Sequence, residues 1–102
     1  MTVRVKLTRS SKAGKKWQVT FDKENGRSKT VHFGQAGAED YTMHKDPERK
    51  RRYIDRHRDR ENWGASGVET PGWWSRWLLW SEPSLSAAKA VVKRKLPHNY
   101  SM

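Results

Sequence analysis

The segment that decides the fold covers residues 17–33 and reads WQVTFDKENGRSKTVHF. Its apolar residues alternate with polar ones in two runs, which are Trp17, Val19 and Phe21, and then Val31 and Phe33. Alternation with a period of two is typical of strands that bury one face. Between the runs stands Asn25-Gly26, a pair that accepts positive φ at both central positions of a tight hairpin turn. We therefore predict a β-hairpin over residues 17–34.

A further strand is predicted from the residues before the hairpin. Val3 to Leu7 alternate apolar and basic side chains, and residues 8–15 are rich in Ser, Gly and Lys. Residues 1–16 are therefore interpreted as a basic N-terminal strand and loop. Because two strands alone are marginally stable, a three-stranded antiparallel sheet is the simplest arrangement.

Helices are predicted in the remainder of the chain. Asp46-Pro47 supplies a helix cap followed by proline at the first helical position, and Thr70-Pro71 and Ser84 offer further starts. The predicted elements are a charged helix over 46–62, a Trp-rich helix over 71–80 and a C-terminal helix over 84–96. The fold class is α+β, with a small three-stranded antiparallel sheet packed with two or three helices in a single domain over 1–102. The predicted core consists of Val19, Val31, Phe33, Trp73, Trp74, Trp77, Leu78 and Val92.

Length and composition limit the classes of protein. A chain of 102 residues suits one domain, since chains usually divide only beyond roughly 250 residues. The absence of cysteine excludes disulfides and thiolate metal sites. No apolar run approaches the ~20 residues that span a bilayer, and Met1 to Ser10 contain no signal-peptide core. We expect a protein that is not secreted and has no membrane partner.

The positive charge is concentrated at the two ends of the chain. Lysine and arginine number 22 against 11 acidic residues, which gives a net charge of +11. Residues 1–16 contribute +6 and residues 89–102 contribute +4, so the long middle section is nearly balanced. Uncancelled charge of this kind indicates a polyanionic partner.

The function predicted from this charge is sequence-independent binding of a nucleic-acid backbone. Lysine and arginine displace the counterions condensed on phosphates, and no element of the sequence is suited to reading bases. Charge alone does not separate DNA from RNA, and DNA is the favoured partner. The predicted binding residues are Arg4, Lys6, Arg9, Lys12, Lys15, Lys16, Arg52, Arg56, Lys93, Arg94 and Lys95.

The charged helix admits two interpretations. Its arginines Arg49, Arg52, Arg56 and Arg60 fall within about 80° of one another, as a phosphate-binding stripe would. Opposite charges also stand three or four residues apart and can stabilise the helix without a ligand. These predicted pairs are Glu48–Arg52, Arg51–Asp55, Arg52–Asp55, Asp55–Arg58 and Arg56–Asp59. The self-paired face is the favoured interpretation, with phosphate contact as the alternative.

The aromatic residues are interpreted first as core. Large side chains at helical spacing, in a domain with few aliphatic residues, are expected to be buried; a protein interface and base stacking are the alternatives. Trp17 and Trp63 are the better stacking candidates because polar sequence flanks each of them.

Chemistry and cofactors are not indicated. The histidines His32, His44, His57 and His98 lack the spacing of a zinc site, and no glycine-rich loop has the lysine of an NTPase. The adjacent carboxylates Glu39 and Asp40 lie on a predicted loop, without an orienting partner. We therefore expect no enzyme, no cofactor, no metal and no small-molecule substrate.

Several short motifs together resemble a known family. They are Val31-His32-Phe33-Gly34, His44-Lys45-Asp46, Arg56-His57, Glu61-Asn62-Trp63 and Ser75-Arg76-Trp77-Leu78-Leu79-Trp80. Over roughly residues 16–96 the chain resembles small basic proteins of unknown function from large DNA viruses that infect algae and protists. The resemblance implies a viral protein, located in the virion or in the nucleus or cytoplasm of an infected cell, and it assigns no functional residues.

The rival function follows from the same resemblance. A virion structural protein, such as a minor capsid component, would use its basic ends on capsid or other virion proteins. Exposed Trp63 or Trp80 would then anchor the interface.

Overall fold

The computed structural model describes residues 2–102; Met1, the first residue of the predicted basic strand, lies outside them. Its sheet has four strands in the order β3-β2-β1-β4. They are β1 (Val3–Arg9), β2 (Lys15–Asp22), β3 (Ser28–Gln35) and β4 (Tyr100–Ser101). The first three strands are antiparallel, whereas β4 lies parallel to β1. The α+β class is therefore confirmed, and the sheet has four strands where three were expected.

The extra strand is too short to leave a pattern in the sequence. The Tyr100 amide donates to the Pro97 carbonyl at 2.9 Å, which turns the chain back beside β1. The Val3 amide then donates to the Asn99 carbonyl at 2.8 Å. Two residues cannot show alternation, so β4 depends on this turn and on its neighbour rather than on local sequence.

The hairpin turn differs from the prediction. Only Gly26 has positive φ, at 80°, and residues 23–27 form a longer loop. The Gly26 amide donates to the Lys23 carbonyl at 3.1 Å, and the Lys23 amide donates to the Arg27 carbonyl at 2.9 Å. A loop of this length needs only one residue in the left-handed conformation after its tight turn, and Gly26 supplies it. Asn25 therefore does not adopt a positive φ.

Four helices follow β3. They are α1 (Tyr41–His44), α2 (Pro47–His57), α3 (Pro71–Trp74, continued by one wide π turn over Ser75–Leu79) and α4 (Leu85–Lys95). The first was not predicted: Asp40 caps it by accepting from the Thr42 amide, and Lys45 ends it in the left-handed conformation. None of the helices in residues 2–102 is long and apolar enough to cross a membrane.

The charged helix is shorter than the predicted 46–62. It begins at Pro47, with Asp46 as its cap, and ends at His57. Its only buried residue is Tyr53, and residues 58–60, which follow the helix, are exposed. The chain turns there, and the Arg60 amide donates to the His57 carbonyl at 3.0 Å.

The core lies between one face of the sheet and the helices α3 and α4. The fully buried side chains are Val19, Phe21, Phe33, Trp73, Trp74, Leu78 and Val92. With Val31, which is also buried, these confirm the predicted core, apart from Trp77, which is half-buried. The Trp77 indole N–H donates to the Trp63 carbonyl at 3.1 Å, and Lys95 covers the ring at 4.1 Å.

A polar contact secures β4 against the rest of the fold. The Tyr100 hydroxyl donates to Glu69 Oε2 at 2.6 Å, and Lys23 Nζ lies 3.2 Å from Glu69 Oε1. Burial alone would raise the pKa of Glu69, but these two partners and Lys29 outweigh it and hold the pKa below its usual value.

This contact predicts an acid-dependent stability. A carboxylate with a lowered pKa stabilises the fold above its ordinary pKa, and that contribution is lost as the pH falls through the folded value. We expect the urea midpoint of the parent protein to fall more steeply below about pH 5 than that of the Glu69→Gln variant. Parallel pH profiles for the two proteins would contradict this role.

Candidate nucleic-acid interface

The sheet has one face that no helix covers, which we call the open face. The core-facing residues of β1, β2 and β3 alternate with polar residues that point the other way. In register across the three strands, the polar residues form the rows Thr8–Gln18–His32, Lys6–Thr20–Thr30 and Arg4–Asp22–Ser28. All of these side chains are exposed or half-buried. The open face is thus a polar platform with one acidic residue, Asp22.

Neighbouring side chains fix the orientation of several residues on the open face. Gln18 Oε1 accepts from the Ser11 amide at 2.9 Å. Ser10 Oγ lies 2.8 Å from His32 Nδ1, and the hydroxyls of Thr20 and Thr30 are 3.2 Å apart. These contacts leave the Gln18 amide N–H groups and His32 Nε2 for a ligand.

The two basic ends of the chain meet beside β1. Pairing of β4 with β1 brings Tyr100 next to Val3. At the other end of β1, the Arg9 guanidinium lies 4.4 Å from the centre of the Trp17 ring, and Lys89 Nζ lies 5.9 Å from it. The N-terminal strand and α4 therefore converge on one side of the molecule.

The charge on this side is not neutralised by the protein. Within residues 2–102, the basic side chains next to β1 and on α4 take part in no ion pair, and six of them are treated as one group. They are Arg4, Lys6, Arg9, Lys12, Lys89 and Lys93, and we call this set the basic flank. Lys89 and Lys93 share a face of α4 because they stand four residues apart.

Lys16 lies away from the basic flank. Its Nζ is 2.6 Å from Asp40 Oδ2, and the two side chains are only 14% and 5% exposed. Gly34, with φ at 78°, makes room for this contact, since a Cβ there would lie 3.2 Å from Lys16 Cβ and 3.0 Å from Leu79 Cδ1. An ammonium buried against a carboxylate is not available to a phosphate, so Lys16 serves the fold.

The remaining predicted binding residues are exposed at other positions. Lys15 begins β2, next to Lys16. Arg94 and Lys95 occupy the last turn of α4 together with Lys93 of the basic flank, where cations stabilise the helix end. The ammonium of Lys95 is committed in part to the ring of Trp77.

The arginines of α2 are less self-paired than predicted. Of the five pairs expected, only Arg58–Asp55 forms within residues 2–102, at 3.3 Å, and Arg51 instead pairs with Glu48 at 2.7 Å. Arg52 and Arg56 have no ion pair there, and with Arg49 they line a groove of about 360 Å³ beside Trp80. Arg49 contacts Glu39 at 3.3 Å. Within residues 2–102, Arg52, Arg56 and Arg60 of the stripe thus lack ion pairs, and Arg60 Nε donates to the Arg56 carbonyl at 3.2 Å.

The expected stacking residues are not free. Trp17 is buried, with a ring covered by Arg9 and Lys89, and Trp63 is half-buried. Trp80 lies parallel to Tyr53, with ring centres 4.5 Å apart, and His57 stacks on Tyr53 at 4.3 Å. Burial raises the pKa of Tyr53 far above its usual value. The Nδ1 atom of His57 lies 3.0 Å from Glu61 Oε2.

Arg76 organises the neighbouring aromatic residues. Its guanidinium lies 4.3 Å from the centre of the Trp77 ring and 5.4 Å from that of Trp63, and it donates to the Trp80 carbonyl at 2.7 Å. Burial lowers the pKa of this group below its usual value. Within residues 2–102, no three histidine or acidic side chains are grouped as metal ligands would be.

The comparison with known proteins shows the family. DUF5754, a family of unknown function, matches residues 5–57, which are just over half of the chain. The chain belongs to the DUF5754 family. No curated protein and no solved structure matches it.

The DUF5754 match has a different extent from the resemblance seen in the sequence. The resemblance spans roughly residues 16–96, whereas the match begins inside β1 and ends with α2. The DUF5754 region therefore includes most of the open face, the Lys16–Asp40 pair and the groove arginines, and it leaves out α3 and α4. The DUF5754 match and the resemblance both indicate proteins of unknown function, and neither assigns a role to any residue.

Sequence reasoning missed three members of this surface. Lys89 was counted in the charge of the C-terminal segment, but nothing in its local sequence indicates Trp17 as a neighbour. Gln18 and His32 were recognised only as the polar sides of strands. The alternation that predicted the buried face also defines the open face, and that signal could have identified both residues.

Proposed function

We propose that this protein binds the phosphate backbone of nucleic acid, with DNA as the favoured partner, and that it catalyses no reaction. The observation that supports the proposal is the convergence of Arg9 and Lys89 on Trp17, where neither takes part in an ion pair with any of residues 2–102. The strongest local charge of the sequence is thereby gathered along one side of the fold. Arg52 and Arg56 are proposed as a second phosphate site, because both lack the acidic partners expected for them.

The physical basis is the release of counterions. Each lysine or arginine that neutralises a phosphate frees condensed cations, so the affinity falls as the salt concentration rises. If about three to six phosphates are neutralised, the logarithm of affinity should fall against the logarithm of salt concentration with a slope of roughly −3 to −5.

The test is a salt titration of binding to a duplex of arbitrary sequence. Replacing Lys12 and Lys93 together by Ala should weaken binding and reduce the slope by about two, since each phosphate contact contributes about one. Both side chains are exposed, and the thermal midpoint should remain nearly unchanged.

The matched control removes the same charge elsewhere. Arg51→Ala combined with Arg58→Ala also lowers the net charge by two, but both guanidinium groups are exposed and paired along α2. We expect its slope to stay close to that of the parent. Binding by the parent that ignores salt, or a control that weakens binding as much as the Lys12 and Lys93 variant, would refute the proposal.

The rival function is a structural component of a virion that acts through protein contacts. It requires exposed tryptophan anchors, and both Trp63 and Trp80 are half-buried in the aromatic cluster of Tyr53. The structure therefore offers this function less support. A viral source, with a place in the virion or in the infected cell, belongs to our proposal through the resemblance alone.

A further inference from the structure

The open face has the size and chemistry of a reading surface. Building on the proposed function, we propose that it enters the major groove of duplex DNA and contacts base edges, so that a sequence preference is added to the backbone affinity of the basic flank. The base contacts are assigned to Gln18 and His32, with Lys6 and Thr30 beside them.

The dimensions agree with this placement. Gln18 and His32 stand opposite each other on the neighbouring strands β2 and β3, and a two-stranded ribbon is what the major groove admits. The major groove of B-form DNA is about 12 Å wide and about 8.5 Å deep. The core residues of α3 and α4 lie against the other face of the sheet.

The side chains present suitable hydrogen-bonding groups. The Gln18 carbonyl oxygen is occupied by Ser11, which turns its amide N–H groups toward a ligand. In the tautomer in which Ser10 Oγ donates to His32 Nδ1, the ring carries its proton on Nε2, which is left for a ligand. N–H donors of this kind match the N7 and O6 acceptors that guanine displays in the major groove. Because both side chains are fixed before binding, little conformational entropy is lost on contact.

Charge is distributed unevenly over the rows of the open face. Asp22 stands opposite Arg4 in the row nearest the β2–β3 loop, and its carboxylate would repel phosphates. The other two rows contain Lys6 and no acidic residue. We therefore assign base contact to these two rows, Lys6 included, and backbone contact to the other residues of the basic flank.

The experiment is a selection from a library of random DNA duplexes. The parent protein should enrich a short common sequence that contains guanine. Gln18→Ala and His32→Ala should each lose the preference at one position of it while they bind the unselected library as the parent does. The matched control, Lys12→Ala, should weaken binding to every sequence alike and keep the preference. Thermal unfolding of each variant confirms that it is folded.

A chemical probe of the groove gives a second measurement. Replacing guanine by its 7-deaza analogue in the enriched duplex removes the N7 acceptor and leaves the backbone intact. Affinity of the parent should fall about tenfold, as expected for one lost base contact, whereas affinity of the Gln18→Ala and His32→Ala double variant should not change.

The outcomes separate this inference from the proposed function. Salt-dependent binding without any enriched sequence would overturn the reading role and leave backbone binding intact. A preference that survives both face variants would overturn the assignment to the open face. Absence of duplex binding at any salt concentration would overturn both proposals, as would capture of acidic proteins in place of DNA.

Discussion

Replacing Trp74 by Ala is expected to cost about 3–5 kcal/mol of the free energy of unfolding, a large share of the stability of a domain of this size. The Trp74 ring is completely buried and lies about 6 Å from the rings of Phe21 and Phe33. Its indole N–H donates to the Val68 carbonyl at 2.7 Å. Truncation leaves a cavity between sheet and helices and an unsatisfied carbonyl in the core.

Urea denaturation at a fixed pH measures this loss, and Trp77→Ala is its matched control. Trp77 has the same side chain three residues further along the chain but is only half-buried, so its truncation should cost clearly less. The stability lost by Trp74→Phe should fall between the losses of Trp74→Ala and Trp77→Ala, because phenylalanine retains an aromatic ring but loses the hydrogen bond. Equal losses for the two alanine variants would contradict the position of Trp74 at the centre of the core.

The strands and the core were predictable because their pattern is local. Alternation of Trp17, Val19 and Phe21 with polar residues marks one buried face whatever the rest of the chain does. The caps Asp46 and Ser84 likewise act within three residues of themselves. Elements of this kind can be inferred without knowledge of tertiary contacts.

The elements that were missed depend on distant partners. The strand β4 exists because Val3 lies beside Asn99, and the contact of Lys23 with Glu69 joins residues far apart in the chain. The helix α2 ends at His57, and residues 58–60 that follow it are exposed rather than packed against the core. No local window of sequence contains these causes.

The candidate site shows the same division. Its charge could be counted from the sequence, and the gathering of Arg9 and Lys89 at Trp17 could not, since these residues come from opposite ends of the chain. The free state of Arg52 and Arg56 was also not predictable, because helical spacing permits ion pairs that the side chains do not form.

Lys16 provides the sharpest test of this distinction. From the sequence, reversing Lys12, Lys15 and Lys16 together to Glu should abolish nucleic-acid binding and leave stability unchanged. The structure gives a different expectation for Lys16, whose ammonium is buried against Asp40. Asp40 in turn caps α1 by accepting from the Thr42 amide at 3.0 Å.

Lys16→Glu is therefore expected to destabilise the fold by about 3–5 kcal/mol, as removal of one partner from a buried ion pair does. Its neighbour Lys15 is exposed, and Lys15→Glu makes the same charge change at a cost within about 0.5 kcal/mol. Urea denaturation of the two variants gives the comparison. Lys16→Glu combined with Asp40→Lys should recover part of the loss, because the pair is restored in reverse. If Lys16→Glu were as stable as Lys15→Glu, the lysine would be free after all and would return to the binding surface. Under the structural expectation, the triple variant loses stability through Lys16 as well as charge, so only variants of Lys12 and Lys15 report on charge.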